Sequence, residues 1–220
     1  IELGVMPETI LLLPNGSNVD EIRPVPQEKA RQALDWPNDV QVIGYIGTIF
    51  RRDAELMAQT FDRIHSAMPS TRLLLIGYCN LAVEELVNTP DSVWRTGPVE
   101  YHEINRYLGA CDVCWLPMRD SGANRGRSPL KVKDYMAAGR PVVTTAVGDV
   151  AELVHWGGFG LVAPDEPDVL AEQTLVMLRD PEQRQEMGRR ARQIAEDDFR
   201  WERMTERLEQ FYERILEVET

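Results

Sequence analysis

Short apolar runs rich in β-branched residues alternate with longer segments of helical period, and this alternation constrains the fold more than any other feature of the sequence. It is typical of βαβ units, in which a helix connects each strand to the next parallel strand. Because the runs are apolar throughout, the sheet is predicted to be covered on both faces. The predicted strands are residues 9–13, 40–46, 72–76, 93–96, 113–116, 142–144 and 160–162.

The intervening segments predict helices, several of which have readable ends. Pro167 and Pro181 suit the first turn of a helix, where the missing N–H costs nothing, and Gly139 followed by Pro141 ends the helix before it. The predicted helices are residues 26–34, 53–68, 82–88, 101–110, 130–138 and 167–178. The order predicts a doubly wound, Rossmann-like α/β fold with a parallel sheet.

After Pro181 the pattern is helical to the end, with a break near residues 199–201. Apolar residues recur there at spacings of three to four, which predicts two amphipathic helices that brace the sheet. We therefore expect one domain over residues 1–220, of which 181–220 form a helical tail. The chain starts at Ile1, in no recognisable leader, and is expected to be a piece of a longer protein.

The net charge of -12 disfavours nucleic acid and anionic membranes as partners, because both require a basic surface. The sign reverses between Arg119 and Arg140, where six basic residues face two acidic ones, and this predicts a local anion site. Three cysteines without framework spacing favour a reducing, cytoplasmic location. Cys111 and Cys114 form a C-x-x-C that is predicted to be buried as apolar residues and to bind no metal.

Two segments carry candidate chemistry. Gly47 follows a predicted strand, and the residues after it, which we call the Gly47 loop (residues 47–50), lead through Arg51 and Arg52 into a helix. Such a turn suits a phosphate, because helix N-terminal N–H groups point toward it, although a tight turn also needs glycine for steric reasons alone.

The second segment begins at Pro129 and continues as one helix to Ala138. Lys131 and Asp134 are three residues apart and share a face of that helix. They are either an exposed ion pair or a division of labour in which the lysine neutralises phosphate and the carboxylate binds a ribose.

This second segment resembles the donor-site helix of the family 4 glycosyltransferases, the retaining GT-B enzymes. The resemblance is carried by residues 128–131 (SPLK) and 134–143 (DYMAAGRPVV). Further likeness falls in family order over nearly the whole chain, at residues 13–16, 47, 73–77, 96–99, 110–113, 148–153 and 160–164. The resemblance implies that the chain is the C-terminal half of a GT-B fold, and that the acceptor domain precedes it.

The resemblance also implies the roles of individual residues. Lys131 and Asp134 are the candidate catalytic residues, one holding the diphosphate and the other the ribose. The remaining donor-binding candidates are Gly47, Thr48, Arg51 and Arg52 for phosphate, Gly97 and Val99 for the nucleobase, and Asn124, Arg125, Arg127 and Leu130 for the sugar.

Two positions depart from the family pattern. Gly126 stands where a glutamate is common, so that Arg125, Arg127 or Asp120 is expected to compensate, and the sequence does not choose among them. Asp53 stands where many members have a lysine, and Arg51 or Arg52 is expected to substitute for it.

The implied function of the intact protein is retaining transfer of a sugar from a nucleotide-sugar donor, with no metal cofactor required. The expected partners are the sugar nucleotide and the N-terminal domain of the same chain, and any peripheral membrane association would involve that domain. The piece alone is expected to be inactive. The alternatives are a non-catalytic, flavodoxin-like nucleotide-binding module and a GT-B epimerase or phosphorylase.

Overall fold

A computed structural model describes residues 4–218 and contains one six-stranded sheet in which every pairing is parallel. The strands are β1 (Gln41–Ile46), β2 (Thr71–Ile76), β3 (Val93–Arg95), β4 (Val113–Leu116), β5 (Val142–Thr145) and β6 (Gly160–Ala163). Their order is β3-β2-β1-β4-β5-β6. The doubly wound, Rossmann-like α/β prediction is therefore confirmed.

Helices follow the strands as the alternation predicts. The α-helices within the described part are α1 (Gln27–Ala33), α2 (Arg51–Ala67), α3 (Ile104–Ala110), α4 (Gly122–Arg125), α5 (Lys131–Ala137), α6 (Gly148–Gly157), α7 (Pro167–Arg179), α8 (Pro181–Asp198) and α9 (Trp201–Val218). Short 3-10 helices lie at Pro7–Thr9, Val83–Glu85, Pro90–Ser92 and Tyr101–Glu103. None of the helices described here is both long and apolar enough to cross a bilayer.

The sheet lies between two helical layers. In such a sheet, right-handed crossovers place the helices that connect β1 to β2 and β4 to β5 on opposite faces, because the two connections run in opposite directions across the sheet. Accordingly α2 packs against α7, while α5 packs against α8. All four residues of β4 are buried, including Trp115, which explains why its sequence is apolar without alternation.

The strand order reverses between β1 and β4, which are neighbours in the sheet. At such a switch point the loops that follow the two strands diverge and leave a crevice at their carboxyl ends. Gly44 in β1 leaves room for the Cys111 side chain just before β4, because a Cβ added there would lie 2.5 Å from the Sγ of Cys111. Cys111 and Cys114 are free and buried, as predicted.

Two element predictions are wrong. Residues 9–13 form no strand of the sheet, because the segment runs along the surface beside α9 and Leu12 is 82% exposed. Residues 82–88 form a single 3-10 turn at Val83–Glu85 instead of a helix. Apolar composition therefore did not produce a regular element in either segment, and Ile10 and Leu12 are exposed while Val83 is buried in its 3-10 turn.

The structure also contains α6, which the sequence analysis missed. Its ends are glycines, Gly148 with φ +63° and Gly158 with φ +59°, and such residues favour loops when only the sequence is known. The left-handed Gly158 is the C-terminal cap that ends the helix.

The predicted break in the tail lies between α8 and α9. Arg192 in α8 donates hydrogen bonds to the carbonyls of Val19, Ile22 and Ala137, and so fastens α8 to the rest of the domain. The backbone of Ser17 pairs with Phe199 and Arg200 at the break. This part of the tail is therefore the brace that its apolar spacing predicts.

Candidate functional site

The Gly47 loop follows β1 at the switch point of the sheet. Gly47 has φ +75°, and no atom would lie within 4 Å of an added Cβ, so the glycine is required by backbone conformation and not by crowding. Its N–H donates to the carbonyl of Ile76 at the end of β2. The carbonyl of Thr48 accepts a hydrogen bond from the Tyr45 hydroxyl at 2.8 Å. The loop is thus held firmly across the ends of two strands.

The loop leads into α2, whose N-terminal N–H groups receive no side-chain cap. Arg51 and Arg52 occupy its first turn, and both side chains are exposed. Neither guanidinium pairs with another residue of the described chain. Two unpaired cations beside a helix N-terminus give this end of α2 a positive potential.

Lys131 comes from the start of α5 and reaches the same loop. Its Nζ donates to the carbonyl of Thr48 at 3.0 Å and lies 3.8 Å from the centroid of the Tyr45 ring. Burial of the ammonium, together with repulsion from Arg127, lowers the pKa of Lys131 to about 7. A nearby anion would raise this pKa again, because it would favour the charged form.

Asp134 lies one turn further along α5. Its Oδ1 accepts a hydrogen bond from the hydroxyl of Tyr101 at 3.0 Å. Burial raises the pKa of Asp134 to about 6, and the hydrogen bond from Tyr101 opposes this rise. Lys131 and Asp134 do not pair with each other, so the alternative of a simple i,i+3 ion pair is not observed. Each side chain instead contacts a loop outside α5, Lys131 at Thr48 and Asp134 at Tyr101.

The nucleobase candidates Gly97 and Val99 lie beyond β3. Gly97 has φ +68° and forms an isolated bridge with Gly77, which has φ +79° and follows β2. Val99 is partly buried against the core. The segment then turns into the 3-10 helix that begins at Tyr101, and the Tyr101 hydroxyl connects this loop to α5.

Asp53 organises the basic segment between β4 and α5, which we call the arginine loop (residues 119–127). The carboxylate is 1% exposed and accepts hydrogen bonds from the backbone N–H of Arg119 at 2.7 Å, from Asn124 Nδ2 at 2.9 Å and from Arg127 Nη2 at 3.0 Å. The guanidinium of Arg127 also lies 4.5 Å from the centroid of the Phe50 ring. Asp53 therefore joins α2 to the arginine loop.

The sugar candidates are arranged unequally. Asn124 is buried and its amide donates to Asp53, while Arg125 is exposed and forms a bidentate pair with Asp120 at 2.6 and 2.7 Å. That pairing lowers the pKa of Asp120. Gly126 directly follows Arg125 and has a negative φ of -92°, and an added Cβ would meet only the Gly122 carbonyl at 3.5 Å. Leu130 is 55% exposed at the start of α5.

Sequence reasoning missed two tyrosines of this site. Tyr45 supplies the ring beneath Lys131, and Tyr101 supplies the donor to Asp134. Tyr45 stands inside a buried strand and Tyr101 at the start of a helix, so each looked like a packing residue. The position of Tyr101 directly after the candidate nucleobase loop was the available signal.

The histidines and cysteines form no metal site. His65 contacts the Thr71 carbonyl through Nδ1 and the Ser92 hydroxyl through Nε2, which is a structural role. Within residues 4–218, no group of three or more histidine, cysteine or acidic side chains is arranged to hold a metal ion.

Comparison with known proteins gives consistent results. A profile of the family described as glycosyl transferases group 1 matches residues 40–180. The GDP-mannose-dependent monoacylated alpha-(1-6)-phosphatidylinositol monomannoside mannosyltransferase of Corynebacterium glutamicum is 26% identical over 205 residues, which cover 89% of this chain and 54% of that protein. The chain spans about half the length of the curated relatives it matches.

Solved structures show the same fold. Sucrose-phosphate synthase from Thermosynechococcus elongatus matches with a TM-score of 0.79 and 26% identity, over 94% of this chain and 53% of that one. Anabaena Alr3699/HepE, solved in complex with UDP and glucose, matches with a TM-score of 0.74 and 21% identity, over 97% of this chain and 58% of that one. In both cases the likeness covers nearly all of this chain and little more than half of the other.

Proposed function

Because the chain belongs to the glycosyl transferases group 1 family and has the fold of one half of a GT-B enzyme, we propose that it binds the nucleoside diphosphate of a sugar donor. The observation that carries the proposal is the placement of Lys131 and Asp134. The two charges project from one helix without pairing, one toward the Gly47 loop and the other toward Tyr101.

The diphosphate is proposed to lie between Lys131 and the start of α2. Lys131 Nζ is already within 3.0 Å of the Thr48 carbonyl, so the ammonium stands over the Gly47 loop. Arg51 and Arg52 border the same loop and are free to turn toward a ligand. A diphosphate there would meet cations and helix N–H groups together, an arrangement that stabilises a departing phosphate electrostatically without requiring a metal.

The nucleoside is proposed to lie beside Asp134. A carboxylate accepts hydrogen bonds from the two hydroxyls of a ribose, which is its role at nucleotide sites on parallel sheets. The backbone around Gly97 and Val99 would border the nucleobase, since Tyr101 ties this loop to Asp134. UDP in the related Anabaena structure is a property of that protein, and the base bound here is open to experiment.

The sugar is proposed to meet the arginine loop. Asp53 occupies one face of Asn124 and Arg127, and Asp120 occupies Arg125. Of these ties, the pair between Arg125 and Asp120 is the exposed one, so it can open at the smallest energetic cost. We therefore assign compensation for Gly126 to Arg125 and Asp120 in preference to Arg127.

In the intact protein we propose transfer of the bound sugar to an acceptor with retention of configuration. The acceptor, and any membrane, would be bound by the other half of the protein, the part of the relatives that this chain does not cover. The cytoplasmic location and the absence of turnover by this piece alone belong to the same proposal.

Calorimetric titration of the chain with UDP, GDP and ADP tests the proposal. We expect one of them to bind, and we expect Lys131→Ala and Asp134→Asn each to weaken binding by about tenfold or more, which corresponds to about 1.4 kcal/mol or more. Lys29→Ala and Asp39→Asn are matched controls, because both residues are exposed and lie away from the Gly47 loop, Lys29 in α1 and Asp39 before the start of β1. Binding that is equally strong in the site variants and the controls would reject the proposed site.

A further inference from the structure

Tyr101 donates its hydroxyl hydrogen to Asp134 Oδ1 from a loop that lies 33 positions earlier in the sequence. We propose that Tyr101 is a positioning residue that holds the Asp134 carboxylate in one orientation and leaves its Oδ2 open to the ribose of the ligand. This inference rests on the proposed nucleotide site, and it adds a function for a residue that neither the sequence nor the comparisons assign.

The surroundings of Asp134 give Tyr101 this role. In the described chain, the Tyr101 hydroxyl is the one side-chain donor to the Asp134 carboxylate, and Oδ2 accepts no hydrogen bond. Lys131, on the same helix face, points to Thr48 instead. Without Tyr101 the carboxylate would be free to rotate about its Cβ–Cγ bond, so each ribose would have to order it on binding.

The bond also acts on the charge of the carboxylate. A donor to a carboxylate favours its ionised form, whereas burial favours the protonated form. For Asp134 burial dominates, and its pKa is about 6 with the hydrogen bond in place. Burial and the adjacent Asp134 raise the pKa of Tyr101 far above its usual range, so the phenol keeps its proton and stays a donor.

Other charged groups around the pair are few. On α5 the nearest is Lys131, and Lys133 instead lies 3.1 Å from the centroid of the Phe199 ring. From the segment before α1, Glu21 acts on Tyr101 and further favours its neutral form. His102 is exposed beside Tyr101, and Glu103 pairs with Arg106.

Tyr101 is also placed to connect the two parts of a nucleoside site. Its side chain is 40% exposed, and it directly follows the loop that contains Gly97 and Val99. Two fifths of its surface is exposed while its hydroxyl donates to a carboxylate, so packing alone does not account for its placement. The hydrogen bond fixes the loop and the carboxylate relative to each other.

The test is the pH dependence of affinity in Tyr101→Phe for whichever of UDP, GDP and ADP binds the wild type, measured by calorimetry on the full chain between about pH 5 and pH 8.5. In the wild type we expect affinity to rise through about pH 6 as Asp134 ionises. Loss of the donor should move this midpoint upward by about one pH unit, so that affinity falls about fivefold at pH 6 and about twofold at pH 7 from ionisation alone. Loss of orientation should add a further decrease at every pH.

Matched variants make the result specific. Tyr78→Phe removes the hydroxyl of an exposed tyrosine and should leave the profile unchanged. His102→Gln should also leave the midpoint in place, because the hydrogen bond to the Asp134 carboxylate comes from the Tyr101 hydroxyl. Carbon-13 NMR of the Asp134 carboxyl in the unliganded chain should show the same upward displacement of the pKa in Tyr101→Phe, independently of any ligand.

The outcomes separate this inference from the proposed function. If Asp134→Asn binds this nucleotide as tightly as the wild type does at all pH values, the ribose assignment is wrong, and the inference built on it is wrong as well. If Asp134→Asn removes the pH-dependent rise but Tyr101→Phe leaves its midpoint and the carboxyl pKa unchanged, the function stands and the positioning role is overturned. Weakening of Tyr101→Phe by the same factor at every pH also overturns it if the carboxyl pKa is unchanged, because loss of a hydrogen bond to the carboxylate must raise that pKa.

Discussion

Replacing Asp53 by alanine should destabilise the whole domain, because this carboxylate is the buried centre of the arginine loop. Its side chain is 1% exposed and receives three donors, one of them the charged guanidinium of Arg127. Removing one partner of a buried ion pair costs about 3–5 kcal/mol, since the other charge is left without compensation. The side chain of Arg127 is 29% exposed and regains some hydration, so the expected loss of unfolding free energy is about 3 kcal/mol.

Urea unfolding with linear extrapolation measures this loss directly. We also expect the melting temperature to fall by about 6–12 °C, from the usual shift per kcal/mol for a domain of this size. Asp53→Asn keeps an acceptor for the two uncharged donors but leaves the Arg127 guanidinium without a carboxylate, so its loss should be smaller than that of Asp53→Ala by about 1 kcal/mol. Glu55→Ala is the matched control, because Glu55 is an exposed acid on the same helix. A loss below about 1 kcal/mol in Asp53→Ala would refute the role of Asp53 as the anchor of the loop.

Three further predictions concern charge and the sugar end of the site. Burial without an anionic partner lowers the pKa of Lys133 to about 7, below its unfolded value, so wild-type stability should increase as the pH rises above 7. Lys133→Met should be more stable than wild type by about 1 kcal/mol or more at pH 6. The urea-unfolding free energies of this variant at pH 6 and pH 9 should differ less than those of the wild type. Nucleotide binding is proposed to require an ionised Asp134 and a protonated Lys131, whose pKa values in the free chain are about 6 and 7. The affinity measured by calorimetry should therefore be greatest between pH 6 and pH 7. If the affinity of Lys131→Met still decreases above pH 7, the role of Lys131 is wrong. Gly126→Glu should fold with an unfolding free energy within about 1 kcal/mol of wild type, since an added Cβ meets only the Gly122 carbonyl at 3.5 Å; if position 126 borders the sugar, affinity for UDP-glucose should change while that for UDP does not.

The sheet was predictable from local sequence because its four central strands are buried on both faces and are therefore largely apolar. The shared helix face of Lys131 and Asp134 was likewise predictable, because an α-helix places residues three apart on one face. The C-terminal tail was predictable for the same reason, since a helix that braces a sheet repeats its apolar residues at every turn. In each case the determining interaction is periodic within a short segment.

The roles of Asp53 and Tyr101 depended on contacts between distant segments. Asp53 meets Arg127 across 74 positions and Tyr101 meets Asp134 across 33, and neither pair leaves a pattern in the intervening residues. The sequence identified Asp53 only as a departure from a family pattern, and the fold shows that it anchors the loop on which Asn124 and Arg127 lie.

The sequence by itself therefore determined the class of fold and the two charges on α5, because burial and helical period act within a few residues. Only the tertiary structure decided that Lys131 and Asp134 interact with other segments and not with each other, that residues 9–13 leave the sheet, and that a tyrosine supports the carboxylate. Those outcomes depend on which loops meet at the carboxyl ends of the strands, and that geometry exists only once the chain has folded.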